Sequence, residues 1–280
     1  MHPAPFPYRL AVTDLDGTLL GPDKTISAAN KEALTLLQER GVQIVVASGR
    51  RHQNSVRFHR ELGLDTLLIS CSGAMIKNPA TGETVREVPL APEMADWLVA
   101  EGIAAGYTVI YYHRDHLYAG GSDQWISLYE SRVNEKVERH PDLRALHGQA
   151  ALKVVWYGEP AELQERRPRL EDAHCGKLSI VATDPENLEF FDPRADKATA
   201  LAVVAEIYQV EAPATIAFGD GENDAPMLRW AGLGVAVDHA NDVAKAAATV
   251  IAPAGPPQNS VARAVTRIID GAWDRYVRGA

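Results

Sequence analysis

The sequence predicts an α/β protein with a doubly wound, mainly parallel sheet, interrupted by an inserted α+β domain. Strand and helix patterns alternate up to residue 70 and again after residue 196, which is typical of a parallel sheet with helices on its faces. The predicted strand at 42–47 is almost wholly apolar, as expected for a strand that is covered on both faces. Between the two alternating parts, short strands follow one another in pairs, which indicates a second, antiparallel unit.

The first part of the chain begins with a short apolar strand that ends in acidic turn residues. A helix follows, for which Ser27 is the expected N-cap and Gly41 the expected glycine just past the C-terminus. The predicted elements of this part are a strand at 8–13, the helix between Ser27 and Gly41, a strand at 42–47, a helix at 53–62, a strand at 66–70, and a hairpin formed by 74–76 and 84–88.

The middle of the chain is predicted to be the inserted α+β unit. Its helices are expected at 93–105, near Trp125 and at 161–173, and its strands at 108–112, 116–119, 152–157, 178–183 and 188–191. The alternation then resumes with helices ending at 208 and at 226–231, 243–247 and 260 to about 276, and strands at 215–219, 234–237 and 249–252. We therefore expect a core formed by residues 1–84 and 191–280, with residues 85–190 inserted as a second domain.

Composition narrows the class of protein. The 280 residues carry 28 basic and 37 acidic side chains, a formal charge of 28 − 37 = −9, which disfavours nucleic acid or an anionic membrane as the main partner. No apolar run approaches the roughly 18 residues of a membrane span, and Met1 to Tyr8 lack the apolar stretch of a secretory signal. Two cysteines, Cys71 and Cys175, suit a reducing compartment. We expect a cytoplasmic monomer or homodimer.

Polar clusters follow several of the predicted strands. They are Asp14–Thr18 (DLDGT), Ser48–Arg50 (SGR) and Gly219–Asp224 (GDGEND), and Lys197 stands at the start of a helix. Because ligands of an open parallel sheet bind beyond the carboxyl ends of its strands, we expect these clusters to converge. One acidic turn alone could be a helix cap or a solvated loop, whereas four clusters in one arrangement favour a functional site.

The residue types indicate phosphoryl transfer. A carboxylate such as Asp14 is ionised at neutral pH and is a competent nucleophile, but a phosphate dianion repels it. The cation Mg²⁺, held by oxygens of Asp14 and Asp220, and the ammonium group of Lys197 would offset that repulsion. Ser48 could hydrogen-bond the phosphoryl oxygens, and Asp16 could protonate the leaving alkoxide and later deprotonate water.

The motifs VTDLDGTLL, ASGR, a lysine and FGDGENDAPML occur in this order and resemble those of the haloacid dehalogenase superfamily. More narrowly, the chain resembles the Cof-type subfamily, in which a large α/β cap (type IIB) lies between the second and third motifs. The resemblance covers nearly the whole chain; its first and last motifs are highly specific and the middle two are short. It implies a Mg²⁺-dependent phosphatase of small phosphorylated metabolites, such as sugar phosphates, that works through an aspartyl-phosphate.

The resemblance also implies roles for individual residues. It implies a catalytic set of Asp14, Asp16 and Lys197, a phosphate-binding set of Ser48, Gly49, Arg50 and Asn223, and metal ligands from the side chains of Asp14 and Asp220 and the backbone carbonyl of Asp16, with Asp224 in or next to the metal shell. For Arg50, a structural or cap-facing role is an equal alternative to substrate contact. The acid/base role falls to Asp16, and Thr18 is expected to orient its carboxylate.

Three positions depart from the family pattern and two other functions stay open. Ser72, Ala198 and His239 stand where relatives usually have Asn, Gly and Asn, which could alter loop shape or substrate fit. A phosphosugar mutase or phosphotransferase would use the same two aspartates. A non-catalytic phospho-accepting domain would also place acidic residues and a lysine at the sheet edge, although Asp16 and the cap argue against it.

The inserted domain is expected to close over the site and to contact the part of the substrate beyond the phosphate. Aromatic residues are concentrated there, including Tyr111, Tyr112, Tyr118 and Trp125. They could stack on a sugar or a base, or they could form the core of that domain.

Overall fold

The computed structural model describes residues 6–114, 116–273 and 276. The strands are β1 (Leu10–Thr13), β2 (Gln43–Ala47), β3 (Leu68–Ser70), β4 (Met75–Lys77), β5 (Thr84–Glu87), β6 (Thr108–His113), β7 (His116–Gly120), β8 (Glu138–Arg139), β9 (Lys153–Tyr157), β10 (Ser179–Val181), β11 (Asn187–Phe191), β12 (Thr215–Gly219), β13 (Leu233–Ala236) and β14 (Val250–Ile251). The α-helices are α1 (Ala28–Gln38), α2 (His52–Glu61), α3 (Pro92–Ala104), α4 (Asp123–Val133), α5 (Pro160–Ala173), α6 (Lys197–Ile207), α7 (Ala225–Trp230), α8 (Asp242–Ala247) and α9 (Ser260–Ile269).

An eight-stranded sheet is built from both ends of the chain, in the order β14-β13-β12-β1-β2-β3-β4-β5. The strands from β14 to β3 run parallel, and the hairpin β4–β5 adds an antiparallel edge. Apolar side chains of α1 and α9 pack on one face of the sheet, and those of α6, α7 and α8 pack on the other. This arrangement confirms the predicted α/β class with a doubly wound, mainly parallel sheet.

A second, six-stranded sheet has the order β10-β11-β9-β6-β7-β8 and is antiparallel except at β7–β8. The helices α3 and α5 cover one face of this sheet, and α4 packs on the other face. The face that α4 covers also packs against Cys71 and Met75, which lie beside and in the eight-stranded sheet. The chain passes between the two sheets at 88–107 and 192–214. The sequence prediction places the first boundary of the inserted domain after residue 84, which lies in β5. It places the second boundary after residue 190, at the end of β11.

The termini of α1 follow the signals in the sequence. The Ser27 hydroxyl accepts a hydrogen bond from the backbone N–H of Asn30, which satisfies a donor that the first turn leaves free. At the other end Gly41 has φ +81, and the N–H groups of Gly41 and Val42 donate to the carbonyls of Gln38 and Leu37. These two bonds form a Schellman motif, in which glycine is favoured because the backbone is left-handed.

Two elements differ from the sequence prediction. The two-residue strand β8 was not predicted, because so short a segment carries no periodicity. The last helix, predicted to reach about residue 276, ends at Ile269 and is followed by a turn with Gly271 at φ +68; residues 274 and 275 lie outside the described residues. Within the described part of the chain, every helix is too short or too polar to span a bilayer.

Candidate active site

Three neighbouring strands of the eight-stranded sheet bring the sequence motifs together. Strand β1 pairs in parallel with β2 on one side and with β12 on the other. Asp14, Ser48 and Asp220 are the residues directly after these three strands. The predicted convergence of the clusters at the carboxyl edge of the sheet is therefore observed.

The ammonium group of Lys197 lies between two of the aspartates. Its Nζ is 2.6 Å from Oδ1 of Asp14 and 2.5 Å from Oδ1 of Asp224, and the lysine side chain is fully buried. Lys197 is the first residue of α6, whose N-terminus is capped by the Asp196 carboxylate through the N–H groups of residues 198 and 199. The cap fixes the start of the helix and so holds the lysine at the sheet edge.

Asp14, Asp220 and Asp224 form a compact group of carboxylates. One oxygen from each lies within 4.8 Å of the others. Burial raises the pKa of Asp14 well above its ordinary value, although Lys197 opposes this, and burial with the charge of Asp224 raises the pKa of Asp220 to about 7. Burial alone would lower the pKa of Lys197, but the two carboxylates beside it raise the pKa above its ordinary value. One ammonium group thus faces three carboxylates, which leaves an excess of negative charge.

The loop after β1 is shaped to approach Asp220. Gly17 has φ +81, and a Cβ at this position would lie 2.3 Å from Oδ2 of Asp220, so only glycine fits. The Thr18 hydroxyl donates to Oδ1 of Asp220 at 2.6 Å. The expectation that Thr18 orients Asp16 is therefore wrong: the turn directs its hydroxyl across the sheet edge to β12.

Asp16 is held in a separate cluster of opposite charges. Its carboxylate accepts hydrogen bonds from Arg50, with Nε at 2.5 Å and Nη2 at 2.7 Å, and from Lys24 at 2.9 Å. Burial would raise the pKa of Asp16, but Arg50 and Lys24 outweigh it and lower the pKa below its ordinary value. The Asp16 side chain is therefore ionised in this arrangement, and it stands apart from the three-carboxylate group.

Arg50 connects this cluster to the helix α4, which packs on the six-stranded sheet. Its Nη1 donates to the backbone carbonyl of Val133, at the end of α4, and to the side chain of Asn54, both at 2.6 Å. Of the two roles that the sequence left open for Arg50, these contacts correspond to the cap-facing one.

The other predicted phosphate-binding residues lie around the turn after β2. The Ser48 hydroxyl is buried and accepts the backbone N–H of Arg50 at 3.1 Å. Gly49 and Asn223 line the cavity in front of Asp14. A Cβ on Gly49 would lie 3.6 Å from the side-chain nitrogen of Asn223, so the turn and the amide are close neighbours.

The three departures from the family pattern all lie next to the site. The Ser72 hydroxyl donates to Glu189 at 3.3 Å, and the N–H of Ala198 donates to the capping carboxylate at 2.8 Å. His239 Nε2 is 2.7 Å from the carbonyl oxygen of Gly17, so it supports the loop that follows β1. Each of these residues thus takes part in the local structure of the site.

A cavity of about 330 Å³ lies in front of these groups, between the two sheets. Its wall opposite Asp14, here called the distal wall, is formed by Tyr112, Tyr129, Arg132, Val133, Lys153, Tyr157, Thr183, Asp184 and Glu189. Tyr112 was among the aromatic residues noted in the sequence, whereas its neighbour Tyr111 points to the opposite face and packs in the other core.

Sequence reasoning identified only Tyr112 of the distal wall, and it missed two charged residues there that a sequence signal could have found. Lys153 and Glu189 form an ion pair at 2.9 Å, and their side chains are 1% and 10% exposed. Each is the one charged residue of a buried strand, KVVWY and NLEFF. That pattern is the signal that could have found them, because a buried charge needs a partner.

Ion pairs join the loops after β2 and β12 to the segment that forms the six-stranded sheet and its helices. Glu222, in the loop after β12, is bound by the guanidinium of Arg167 on α5 and by the N–H of Ala182 at 3.1 Å. Arg51, after β2, pairs with Glu135 beyond α4. The loop after β12 and the loop after β2, which both carry predicted motifs, are therefore each bound to the segment on the opposite side of the cavity.

Comparisons with known proteins agree with this architecture. A family model for haloacid dehalogenase-like hydrolases matches residues 11–265, and the chain therefore belongs to this family. A 5-amino-6-(5-phospho-D-ribitylamino)uracil phosphatase of Bacillus subtilis is 28% identical over 254 residues, which cover 85% of this chain and 89% of that protein.

Solved structures give the same result. A haloacid dehalogenase-like hydrolase from Bacteroides thetaiotaomicron is 29% identical, with a TM-score of 0.80 over 93% of this chain and 99% of that one. A sugar phosphatase of subclass IIB has a TM-score of 0.81 over 92% and 98% of the two chains; at 19% identity it supports the fold alone. The predicted family and the prediction of an enzyme are confirmed.

We predict that Lys197→Met destabilises the protein in a pH-dependent way. Removal of the ammonium group leaves Asp14 and Asp224 buried without their cation, which typically costs about 3–5 kcal/mol. The loss in the free energy of unfolding should be larger at about pH 8 than at about pH 5, because protonation removes the unpaired charge of Asp14, whose pKa is raised by burial. Urea denaturation at the two pH values measures it.

Lys177→Met is the matched control, since Lys177 is exposed and surface substitutions usually change the free energy of unfolding by less than about 0.5 kcal/mol. Equal losses for Lys197→Met at both pH values would contradict the interpretation of the carboxylate group.

Proposed function

We propose that this protein is a Mg²⁺-dependent phosphatase that hydrolyses phosphomonoesters of small metabolites, sugar phosphates among them, through an aspartyl-phosphate on Asp14. The observation that carries the proposal is the position of Asp14. Its carboxylate follows the central strand β1, contacts the buried Lys197 at 2.6 Å and lines the cavity between the two sheets. Family membership sets the reaction class, and this geometry supports the individual roles.

Asp14 would attack the phosphorus atom while Lys197 offsets the charge on the carboxylate and the phosphoryl oxygens. Ser48, Gly49 and Asn223 would hold the phosphoryl oxygens through hydroxyl, backbone N–H and amide groups. Their positions around the turn after β2 and beside the cavity support this.

Asp16 would protonate the leaving oxygen and then take a proton from the attacking water. Its carboxylate lines the same cavity as Asp14, two residues further along the chain. The ion pairs with Arg50 and Lys24 keep it ionised, so Asp16 must take up a proton from solvent before it can protonate the leaving oxygen. The carboxylate that this step leaves behind is the form that accepts a proton from the attacking water. Arg50 would thus act on the reaction through Asp16, as a positioning residue.

The residues present fit a magnesium ion. The three carboxylates of Asp14, Asp220 and Asp224 offer oxygen ligands within 4.8 Å of one another, and hard oxygen donors are what Mg²⁺ prefers. Burial, together with the charges of neighbouring carboxylates, raises the pKa of Asp14 and of Asp220, and a bound cation would favour their ionised forms. Bound there with the carbonyl of Asp16, Mg²⁺ would offset the charge of the carboxylates and the phosphate.

We propose that residues 85–190 act as a cap on a core formed by 1–84 and 191–280. The distal wall of the cavity comes from this segment, and it would exclude water and contact the part of the substrate beyond the phosphate. A volume of about 330 Å³ suits a small metabolite rather than a macromolecule. The Bacillus relative, named for a phosphorylated ribityl compound, supports a small phosphorylated metabolite as substrate.

Replacement of the two aspartates tests the chemistry. Asp14→Asn should abolish phosphate release because the amide is not a nucleophile, and Asp16→Asn should reduce turnover by about 10²–10⁴-fold because acid–base assistance is lost. Phosphate release from p-nitrophenyl phosphate and a panel of phosphorylated metabolites measures both, with circular dichroism to confirm folding. Asp65→Asn, at an exposed position, is the control and should keep full activity.

Turnover retained by Asp14→Asn would remove this residue from the role of nucleophile. Interconversion of hexose phosphate isomers without release of free phosphate would indicate a mutase instead. A stable phosphoprotein that does not turn over would indicate a phospho-accepting domain.

Mg²⁺ should stabilise the protein more at about pH 8 than at about pH 5.5. The pKa of Asp220 is raised from 3.8 to about 7, so its protonated form favours the folded state and stability without metal falls as the pH rises through this range. Metal binding needs the ionised carboxylates. Thermal melting with EDTA or with Mg²⁺ measures the difference, and Asp220→Asn should remove most of it. Stabilisation that is independent of pH, or activity in EDTA, would contradict the metal site.

A further inference from the structure

The cations that line the cavity are each paired with a carboxylate of the same lining. Within the described residues, the lining cations are Lys24, Arg50, Arg132 and Lys153, and the lining carboxylates are Asp14, Asp16, Asp184, Glu189 and Asp220. Each of these four cations contacts at least one of the carboxylates at 3.0 Å or less. The cavity therefore presents no uncommitted positive charge to a substrate, apart from what a metal ion would add beside Asp14.

The deepest pair on the distal wall is Lys153 with Glu189. Lys153 Nζ donates to Glu189 Oε2 at 2.9 Å and, across the cavity, to the backbone carbonyl of Gly49 at 2.8 Å. The hydroxyls of Thr183 and Ser72 donate to the two oxygens of Glu189 at 3.2 and 3.3 Å. The ammonium group is thus neutralised by a carboxylate that is itself held in place.

A second pair lies nearer the solvent. Arg132, on α4, is 3.0 Å from Asp184 and 2.8 Å from Glu186. The Arg132 and Asp184 side chains are 26% and 39% exposed, so a substrate can reach both. Because two carboxylates pair with one guanidinium group, this part of the wall has a net negative charge.

Such a wall suits one kind of leaving group. A hydroxyl group can accept a hydrogen bond from a cation and donate one to the adjacent carboxylate, so it matches a paired lysine and glutamate. A second phosphate, as the dianion, cannot donate a hydrogen bond. It would bring negative charge next to Asp184 and Glu189 without an available cation, where the low dielectric strengthens the repulsion.

We propose that the distal wall selects phosphomonoesters whose leaving group is neutral and carries hydroxyl groups, and rejects substrates with a second phosphate. The paired charges Lys153–Glu189 and Arg132–Asp184 are the specificity-determining elements. The inference rests on the proposed phosphatase function and adds the charge of the substrate that the same site accepts.

Fructose 1-phosphate, fructose 6-phosphate and fructose 1,6-bisphosphate test it, because they differ only in the second phosphate and its position. Each is measured as a substrate, or as a competitive inhibitor of p-nitrophenyl phosphate hydrolysis, with Mg²⁺ present. The wild-type protein should favour the better monophosphate over the bisphosphate by about tenfold or more.

The variant Glu189→Gln removes the charge that neutralises Lys153 but keeps the shape of the side chain. The variant Asp184→Asn likewise removes a charge that pairs with Arg132, at a more exposed position. Each should raise the ratio of bisphosphate to monophosphate kcat/KM, or of the corresponding inhibition constants, by about tenfold. Glu162→Gln removes the same charge from an exposed site on α5 and should leave the ratio unchanged. Circular dichroism and thermal melting identify the variants that fold.

A wild-type protein that accepts the bisphosphate as well as the monophosphates, or that binds none of the three, would overturn the inference. So would an unchanged ratio in the folded variants; Asp184→Asn decides if Glu189→Gln does not fold. Failure to hydrolyse p-nitrophenyl phosphate as well as all three sugars would instead count against the phosphatase function itself.

Discussion

The contact on which the rest of the site depends is that of the buried ammonium group of Lys197 with Asp14 and Asp224. A carboxylate that is removed from water is ionised only when a cation or several hydrogen bonds compensate for the lost solvation. Lys197 supplies part of that compensation from the first turn of α6, and the capped start of the helix keeps it in place. Asp14, the cavity in front of it and the three-carboxylate group all lie around this one charge.

The topology explains why a single lysine can do this. Strand β1 lies between β2 and β12, so residues from the beginning of the chain and from beyond the insertion meet at one edge. The inserted segment leaves and re-enters the core near α6, and its side chains close the cavity opposite Asp14. Contacts such as Arg167 with Glu222 and Arg50 with Val133 join that segment to the same loops that carry the reactive groups. The loops and the distal wall are therefore joined around one cavity.

Much of this could be predicted from the sequence because local signals determine it. The apolar run of β2, the cap at Ser27 and the glycine at 41 predict their elements, and parallel topology then brings Asp14, Ser48 and Asp220 to one edge. Partners across the cavity could not be predicted. The pairing of Lys153 with Glu189, the bond from Thr18 to Asp220 and the contacts of Arg50 depend on how two sheets pack, and no periodicity within one segment encodes that.

The most direct test of the central claim is to search for a covalent phosphoryl group on Asp14. Rapid quenching in acid within the first turnover with a phosphomonoester and Mg²⁺, followed by peptide mass mapping, detects an acyl-phosphate before water removes it. The account predicts a phosphorylated peptide that contains Asp14 and that disappears as free phosphate accumulates. A phosphoryl group on another residue, or complete release of phosphate without any phosphorylated peptide, would contradict it.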